Sequence, residues 1–202
     1  MRNIPFRSPD KPSRIFSLNA VSEGDFIAQK KIDGHNAVII VNDGIEVRSR
    51  HNKPLPVSKK SLGQIEQLGL SDGDVVVGEW TSRRNANKEE TLPLFSILYR
   101  EYEWLGGWGE EDRYNLLREK IAPTEDIQVL ESQDRNYADL FRSTIDDWVT
   151  EGIVLKHKEA KLTGNRSGSV KNRLMLKLKW RDGADGAKIM VVPDEKLIPL
   201  SS

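Results

Sequence analysis

The chain has 202 residues, its 31 basic and 31 acidic residues cancel, and it contains no cysteine. The length predicts a single domain over residues 1–202, and the lack of cysteine rules out disulfides, a cysteine-ligated zinc and a thiol nucleophile. A balanced net charge does not exclude a local basic face. The absence of a long apolar run or secretory leader predicts no membrane contact and a cytoplasmic location.

Short β-strands dominate the first half of the chain. Asn42-Asp43-Gly44 separates two apolar runs and carries an Asp-Gly pair, which is a strong hairpin signal. Three consecutive valines in the run at 74–80 indicate a strand that is buried on both faces. The predicted strands are 25–31, 36–41, 45–50, 74–80 and 92–99, with a helix predicted at 57–70 and a polar loop at 82–90.

Helices, loops and strands follow one another in the second half. Pro123 ends the helix that is predicted over 113–121, and apolar residues at helical spacing predict an amphipathic helix over 137–150. The remaining predictions are a loop at 103–112, strands at 127–131, 152–157 and 174–180, and a polar, basic loop at 160–173. This order of elements predicts an α+β fold with mostly antiparallel sheets rather than βαβ alternation.

A Lys-x-Asp-Gly sequence at residues 31–34 lies between two of the predicted strands. A free lysine amine has a pKa of about 10.4, and neighbouring positive charge or desolvation favours the neutral form that acts as a nucleophile. Lys177 and Lys179 alternate with leucine, so they share one face of their predicted strand. Such a pair could clamp a phosphate near Lys31, although lysines on one face are also typical of a solvated edge strand.

Two glutamates, Glu79 and Glu151, stand beside a glycine at the border of an apolar strand. A carboxylate at a buried strand end is costly unless it is paired or lies at a site, and ribose hydroxyls or a divalent metal are the obvious ligands. Arg50 ends another predicted strand and could bind phosphate or ribose, while Phe95 could stack on a base. Judged singly, each residue also fits an ordinary role at a helix end, on a solvent face or in the core.

Taken together, these residues resemble the ordered motifs of the covalent nucleotidyltransferases, which include ATP-dependent DNA and RNA ligases and mRNA capping enzymes. The resemblance spans residues 29–180 and implies a ligase-type nucleotidyltransferase (adenylation) domain, ATP-grasp-like, with antiparallel sheets flanked by helices. It implies no OB domain, because 22 residues after Trp180 are too few for a five-stranded barrel. The matching segments are 31–34, 49–52, 78–80, 94–98, 151–156 and 176–179.

The resemblance also implies a role for each matched residue. Lys31 would attack the α-phosphate of ATP and carry AMP, while Lys177 and Lys179 would stabilise the phosphate charge. Glu79 or Glu151 would help to hold Mg²⁺ or Mn²⁺. The nucleotide-binding residues would be Gln29, Asp33, Gly34, Asn36, Arg50, Glu79, Phe95 and Lys156, with Gln29 at a base-reading position where many relatives carry glutamate.

The expected substrates are RNA or DNA ends that carry a 5′-phosphate and a 3′-hydroxyl. An RNA ligase is favoured because Asn36 stands where many DNA ligases and capping enzymes have arginine, and because Gly78-Glu79-Trp80 looks more like RNA ligases. A DNA ligase, a capping-type guanylyltransferase and a non-catalytic binding module stay open, as does a partner protein that supplies an OB domain. The predicted nucleic-acid-binding residues are Lys158, Lys161, Arg166, Lys171, Arg173, Arg83 and Arg84.

Overall fold

The chain divides into two compact units, which are described separately below. The computed structural model describes residues 3–19, 21–81, 90–147, 149–166, 168, 170–182, 188–191 and 197–199. The first unit comprises 1–11, 34–130 and 159–170, and the second comprises 12–33, 131–158 and 171–202. The single domain over 1–202 stays a prediction.

Strands outnumber helices in the described part of the chain. The strands are β1 (Lys11–Arg14), β2 (Phe26–Ile32), β3 (His35–Val41), β4 (Ile45–Ser49), β5 (Val75–Trp80), β6 (Leu94–Arg100), β7 (Glu103–Trp104), β8 (Thr150–His157), β9 (Lys171–Asp182), β10 (Lys188–Val191) and β11 (Leu197–Pro199). The helices are α1 (Lys59–Ile65), α2 (Glu110–Lys120) and α3 (Tyr137–Arg142). Among the described residues, no helix is both long and apolar enough to cross a membrane.

The first unit is built on an antiparallel sheet with the strand order β4-β3-β5-β6-β7. One face of the sheet, with Ile39 and Val76, packs in a core that includes Leu117 of α2. The other face carries Val38 and Val77 in a second apolar cluster. Strand β5 is therefore buried on both faces, as its valine run predicted.

The second unit contains a sheet with the order β11-β10-β9-β8-β2, in which β1 also pairs with β9. Its core face carries Ala28, Ile153 and Trp180, which pack with α3. The ring of Phe141 from α3 stacks on the ring of Trp180 at a centroid distance of 3.9 Å. The opposite face of β2, β8 and β9 mixes apolar residues such as Val154 with polar side chains, and it holds the predicted nucleophile.

Most of the predicted strands are confirmed within a few residues, as is the hairpin, in which Asp43 and Gly44 have positive φ. The helix over 57–70 is correct in kind but covers only α1, which Ser58 caps through its side chain. Helix α2 begins earlier than predicted, at Glu110, because acidic residues in its first turn complement the helix dipole.

Four other predictions need correction. The helix over 137–150 ends at Arg142, where the hydroxyls of Ser143 and Thr144 bond carbonyl oxygens of the last turn. Residues 127–131 contribute an isolated bridge between Leu94 and Val129 rather than a strand. The loops at 103–112 and 160–173 contain β7, the start of α2 and the start of β9, whereas 82–89 lie outside the described residues.

After Trp180 the described residues complete β9 and form β10 and β11, and no OB barrel is seen among them. The observed mixture of antiparallel sheets and few helices confirms the α+β prediction. Two features of the sequence explain this outcome. Its apolar runs mostly have strand length, and turn residues separate them.

Candidate functional site

One face of the second unit's sheet carries lysines from three strands. Val154 of β8 lies opposite Gln29 of β2 on one side and opposite Lys177 of β9 on the other. Directly opposed residues project to the same side of a sheet, and alternate residues of a strand share a face. Lys31 and Lys179 therefore belong to the same face as Gln29 and Lys177, and Lys156 joins them from β8 as a buried residue.

A β-bulge brings Glu151 onto this face. The register of β2 against β8 slips by one residue at Lys31, so that Glu151 and Gly152 together lie opposite it. In a regular strand Glu151 would alternate with Gly152 and point to the core side. Gly152 has φ +135°, and a Cβ there would overlap the carbonyl oxygen of Leu178, so only glycine fits the bulge.

Glu151 links the two lysines at the centre of this face. Its Oε1 accepts a hydrogen bond from Lys31 Nζ, and its Oε2 accepts one from Lys179 Nζ. Burial raises the pKa of the Glu151 carboxyl, but the hydrogen bonds from Lys179 and Lys31 outweigh burial and hold the pKa below its ordinary value. The carboxylate is therefore charged at neutral pH and gathers both ammonium groups at one point. We call Lys31, Glu151 and Lys179 the lysine cluster.

The lysine cluster gathers two positive groups at one point, and such a pair is suited to an anion such as a phosphate through charge-assisted hydrogen bonds. The three side chains are only partly exposed, at 19% for Lys31, 26% for Glu151 and 28% for Lys179, so water screens their charges incompletely. The neighbouring Lys30 points to another partner, Asp147, at 3.2 Å. Lys31 is thus set apart from the adjacent lysine by its contacts.

A metal ion at the lysine cluster would have to rely on few protein ligands. Within the described ranges, no group of three or more histidine, aspartate or glutamate side chains is placed to hold an ion. Mg²⁺ usually takes one or two carboxylates together with phosphate oxygens and water. Glu151 fits that smaller donor set, whereas Glu79, the other predicted metal residue, belongs to the first unit.

A second polar group lies on one face of the first unit's sheet. Asn36 at the start of β3 lies opposite Glu79 at the end of β5. Val38, two residues after Asn36, lies opposite Arg48, and Arg50 follows two residues further on. The register places Asn36 and Glu79 on one side of the sheet, and the charge of Glu79 acts on Arg50, which follows the end of β4. We call these three residues the arginine cluster.

Two buried atoms of the arginine cluster, Arg50 Nη1 and Asn36 Oδ1, have no hydrogen-bond partner within the described part of the chain. Burial lowers the pKa of Arg50, and the negative charges of Glu79 and Asp10 oppose that shift. A buried donor or acceptor without a partner costs free energy. A donor and an acceptor left open beside two carboxylates are therefore suited to a polar ligand.

Three further predicted nucleotide contacts adjoin these clusters. Phe95 is half buried and packs against the apolar cluster that contains Val38 and Val77. A Cβ on Gly34 would lie 2.7 Å from the carbonyl oxygen of Trp80, so the backbone there must be glycine. Asp33 is exposed, and its backbone N–H donates to the carbonyl of Val149 at 2.8 Å.

The residues predicted to bind nucleic acid are spread over both units. Lys161 and Arg166 are exposed in the first unit, and Lys171 and Arg173 are exposed in the second. Lys158, also in the second unit, forms an ion pair with Asp134 at 3.4 Å. The remaining two, Arg83 and Arg84, lie outside the described residues.

Sequence patterns missed two residues that shape these clusters. The bulge at Gly152 breaks the alternation that strand prediction assumes, although the Glu-Gly pair next to an apolar run was a visible signal. Asp10 lies in a polar segment without periodicity, 40 positions before Arg50, so no local pattern indicates that it acts on that guanidinium.

The strands and helices are arranged as in the nucleotidyltransferase domains of ATP-dependent polynucleotide ligases, which confirms the predicted fold. The ligase domain of M. tuberculosis LigD matches at 15% identity with a TM-score of 0.64, over 96% of this chain and 73% of that one. A Lig E DNA ligase matches at 14% identity with a TM-score of 0.60, over 98% and 85%. An archaeal ATP-dependent RNA ligase matches at 16% identity with a TM-score of 0.58, over 85% and 48%. No protein-family model and no curated protein matches the sequence.

Proposed function

We propose that this chain is the catalytic core of an ATP-dependent polynucleotide ligase in which Lys31 carries AMP. The lysine cluster is the observation that carries the proposal, because it joins a partly buried amine to a second cation and a carboxylate. Its position on the fold of ligase nucleotidyltransferase domains supports the assignment. The sequence motifs at 31–34, 151–156 and 176–179 supply all three members of the cluster.

In the first step, the neutral amine of Lys31 attacks the α-phosphorus of ATP. The nitrogen–phosphorus bond forms while the bond to the pyrophosphate oxygen breaks, and the amine releases its protons to water, one before attack and one as the bond forms. Lys179, with Lys177 on the same sheet face, stabilises the charge that builds on the phosphate oxygens. The products are lysyl–AMP and pyrophosphate.

The arginine cluster is proposed to hold the ribose. Arg50 lies among the carboxylates of Glu79 and Asp10, which together carry one negative charge more than the guanidinium neutralises. That balance favours a neutral hydroxyl over a phosphate at the open Arg50 Nη1. Adenine would stack on Phe95, while the amide of Gln29 can both donate to and accept from a base edge.

Mg²⁺ or Mn²⁺ would be held by Glu151 together with phosphate oxygens and water, as the donor set of the lysine cluster allows. Such an ion would offset phosphate charge during nucleotidyl transfer. Glu79, the other candidate ligand, would then serve the ribose. Lys156, which is buried on the face of the lysine cluster, is proposed as a further nucleotide contact.

The two later steps would use nucleic-acid ends. AMP passes from Lys31 to a 5′-phosphate, which forms a phosphorus–oxygen bond as the nitrogen–phosphorus bond breaks. A 3′-hydroxyl then attacks the activated phosphate, forms the phosphodiester and releases AMP. We favour RNA as substrate because of Asn36, with DNA as the alternative, since the structural neighbours include ligases for both. The exposed Lys161, Arg166, Lys171 and Arg173 are proposed to contact phosphates, which predicts salt-sensitive binding.

The test is incubation with α-labelled ATP, or GTP in parallel, with Mg²⁺ or Mn²⁺, followed by a denaturing gel. We expect ATP to label the wild type and Lys30→Ala, a matched control whose lysine contacts Asp147, but not Lys31→Ala. Label that persists in Lys31→Ala would reject Lys31 as the nucleophile, and a preference for GTP would favour a capping-type guanylyltransferase. Absence of label from the folded wild type would favour the alternative that the chain is a non-catalytic binding module. Panels of nicked RNA and DNA then decide the substrate.

A further inference from the structure

The start of the chain runs along a loop of the same unit. Ser8 N–H donates to the carbonyl of Asn165 at 2.8 Å, and Lys11 N–H donates to the carbonyl of Val170 at 2.8 Å. Arg7 donates through Nη1 to the carbonyl of Gly164. Residues 7–11 are therefore fastened to Gly164, Asn165 and Val170 of the first unit by backbone and side-chain hydrogen bonds.

Asp10 is the centre of this contact. It is buried, and its Oδ2 accepts from the backbone N–H of Thr163 at 3.0 Å. Its Oδ1 accepts from the Thr163 hydroxyl at 2.6 Å and from Asn165 Nδ2 at 2.9 Å. Three donors from one loop hold the carboxylate at a fixed place, and its charge acts on Arg50.

The same loop also touches Arg50 through its backbone. Asn165, which donates to Asp10, accepts through Oδ1 from Gly168 N–H at 2.9 Å. Gly168 has φ +69°, and a Cβ there would lie 2.5 Å from Arg50 Cγ. The backbone at Gly168 thus packs directly on the arginine side chain, with no room for another residue. Asp10 therefore reaches Arg50 by two routes, through charge and through the Asn165–Gly168 contact.

We propose that Asp10 is a positioning residue for Arg50, which it holds by charge and through Asn165 and Gly168 so that Nη1 points at the ligand. This inference rests on the proposed function, because it assigns Arg50 to the nucleotide. Asp10 itself does not touch the reacting atoms. Its loss should weaken the binding of ATP and leave the rate of the chemical step nearly unchanged.

The first experiment measures lysyl–AMP formation against ATP concentration in the full chain. Asp10→Asn is expected to raise the half-saturating ATP concentration about tenfold with a maximal rate within about twofold of wild type. Arg50→Lys should raise the half-saturating ATP concentration as well. The double variant should differ little from Arg50→Lys alone, because the effects of two residues that act as a unit are not additive. Additive effects of the two changes would overturn the proposal.

Asp72→Asn is the matched control. Asp72 also accepts from a backbone N–H, that of Asp43 at 2.9 Å, and from a hydroxyl, that of Tyr102, but it faces no arginine in its described hydrogen bonds. We expect it to leave the ATP dependence unchanged. If Asp10→Asn behaves like Asp72→Asn, Asp10 serves only to fasten the loop.

A second readout does not depend on the ligase reaction. The side-chain Nε–H signal of Arg50 in ¹⁵N NMR, assigned through Arg50→Lys, should shift or broaden in Asp10→Asn and stay in place in Asp72→Asn. An unchanged signal refutes the positioning role, whatever the labelling shows. If the Arg50 signal changes in Asp10→Asn but the wild type takes no label, the positioning role stands and the proposed function is rejected instead. Asn165→Ala, which keeps the carboxylate, supplies a second variant if Asp10→Asn does not fold.

Discussion

Glu151 of the second unit uses both carboxylate oxygens to hold Lys31 and Lys179, whereas Arg50 and Asn36 of the first unit each keep a buried polar atom that no described residue bonds. The carboxylate of the lysine cluster is thus satisfied through both oxygens, and we expect the cluster to stabilise the second unit. The arginine cluster is incomplete and costs stability until a ligand completes it. Polar groups placed at a cost to the fold are expected where function requires them, so mutations in the two clusters should change stability in opposite directions.

The largest effect on stability and labelling is expected from Gly152→Ala, which disrupts the bulge that turns Glu151 toward the lysines. The new Cβ overlaps a backbone oxygen, and φ of +135° is strained for alanine. We expect the unfolding free energy to fall by about 3 kcal/mol or more and nucleotide labelling to disappear. Urea unfolding followed by circular dichroism measures the first effect, and the labelling gel measures the second.

A normal labelling rate in Gly152→Ala would show that the bulge is not needed to place Glu151. The control for the substitution itself is Gly63→Ala in α1, where no atom other than those of the chain neighbours and the helix backbone lies within 4 Å of the new Cβ. If both alanine variants lose stability alike, the effect of Gly152→Ala reflects something other than the bulge.

Glu151→Gln tests whether the lysine cluster stabilises the second unit. Loss of the charge leaves two ammonium groups facing each other, so we expect the unfolding free energy at pH 7 to fall by about 2 kcal/mol. The pKa of Glu151 is lowered in the folded chain. Its contribution is therefore complete above the ordinary glutamate pKa of about 4.3 and is lost as the pH falls through the lower, folded-state value.

The difference between wild type and Glu151→Gln should accordingly be constant from pH 7 to about pH 5 and shrink in more acid solution. Glu66→Gln is a suitable control, because Glu66 is exposed at the end of α1. A difference for Glu151→Gln that grows as the pH falls would contradict the direction of the pKa shift.

Asn36→Leu tests the opposite behaviour of the arginine cluster. The change removes a buried acceptor that has no partner among the described residues and gives up a single long bond, from Nδ2 to the Gly78 carbonyl at 3.5 Å. We expect the unfolding free energy to stay within about 1 kcal/mol of wild type or to rise, while ATP labelling weakens about tenfold. A loss of stability as large as that of Glu151→Gln would mean that the two clusters do not differ.

Local patterns of the sequence predicted the parts of this arrangement that depend on neighbouring residues. The period of two placed Lys177 and Lys179 on one face, and the Asp-Gly pair marked the hairpin after β3. The same rule of alternation fails at Glu151, because the strand bulges there. Asp10 could not be found in this way, since its loop and Arg50 are far from it in the chain and the contact arises only on folding.

The smallest effect on stability is expected from Gly63→Ala, the variant that serves above as a control. Gly63 lies inside α1, where glycine is about 1 kcal/mol less favourable than alanine, and nothing near it would meet the new methyl group. The unfolding free energy should therefore rise by about 0.5–1 kcal/mol with labelling unchanged, because α1 lies on the core side of the first sheet. A stabilised variant that labels at the wild-type rate would show that the stability of the first unit does not limit nucleotide binding. A change in labelling would instead connect α1 to the site.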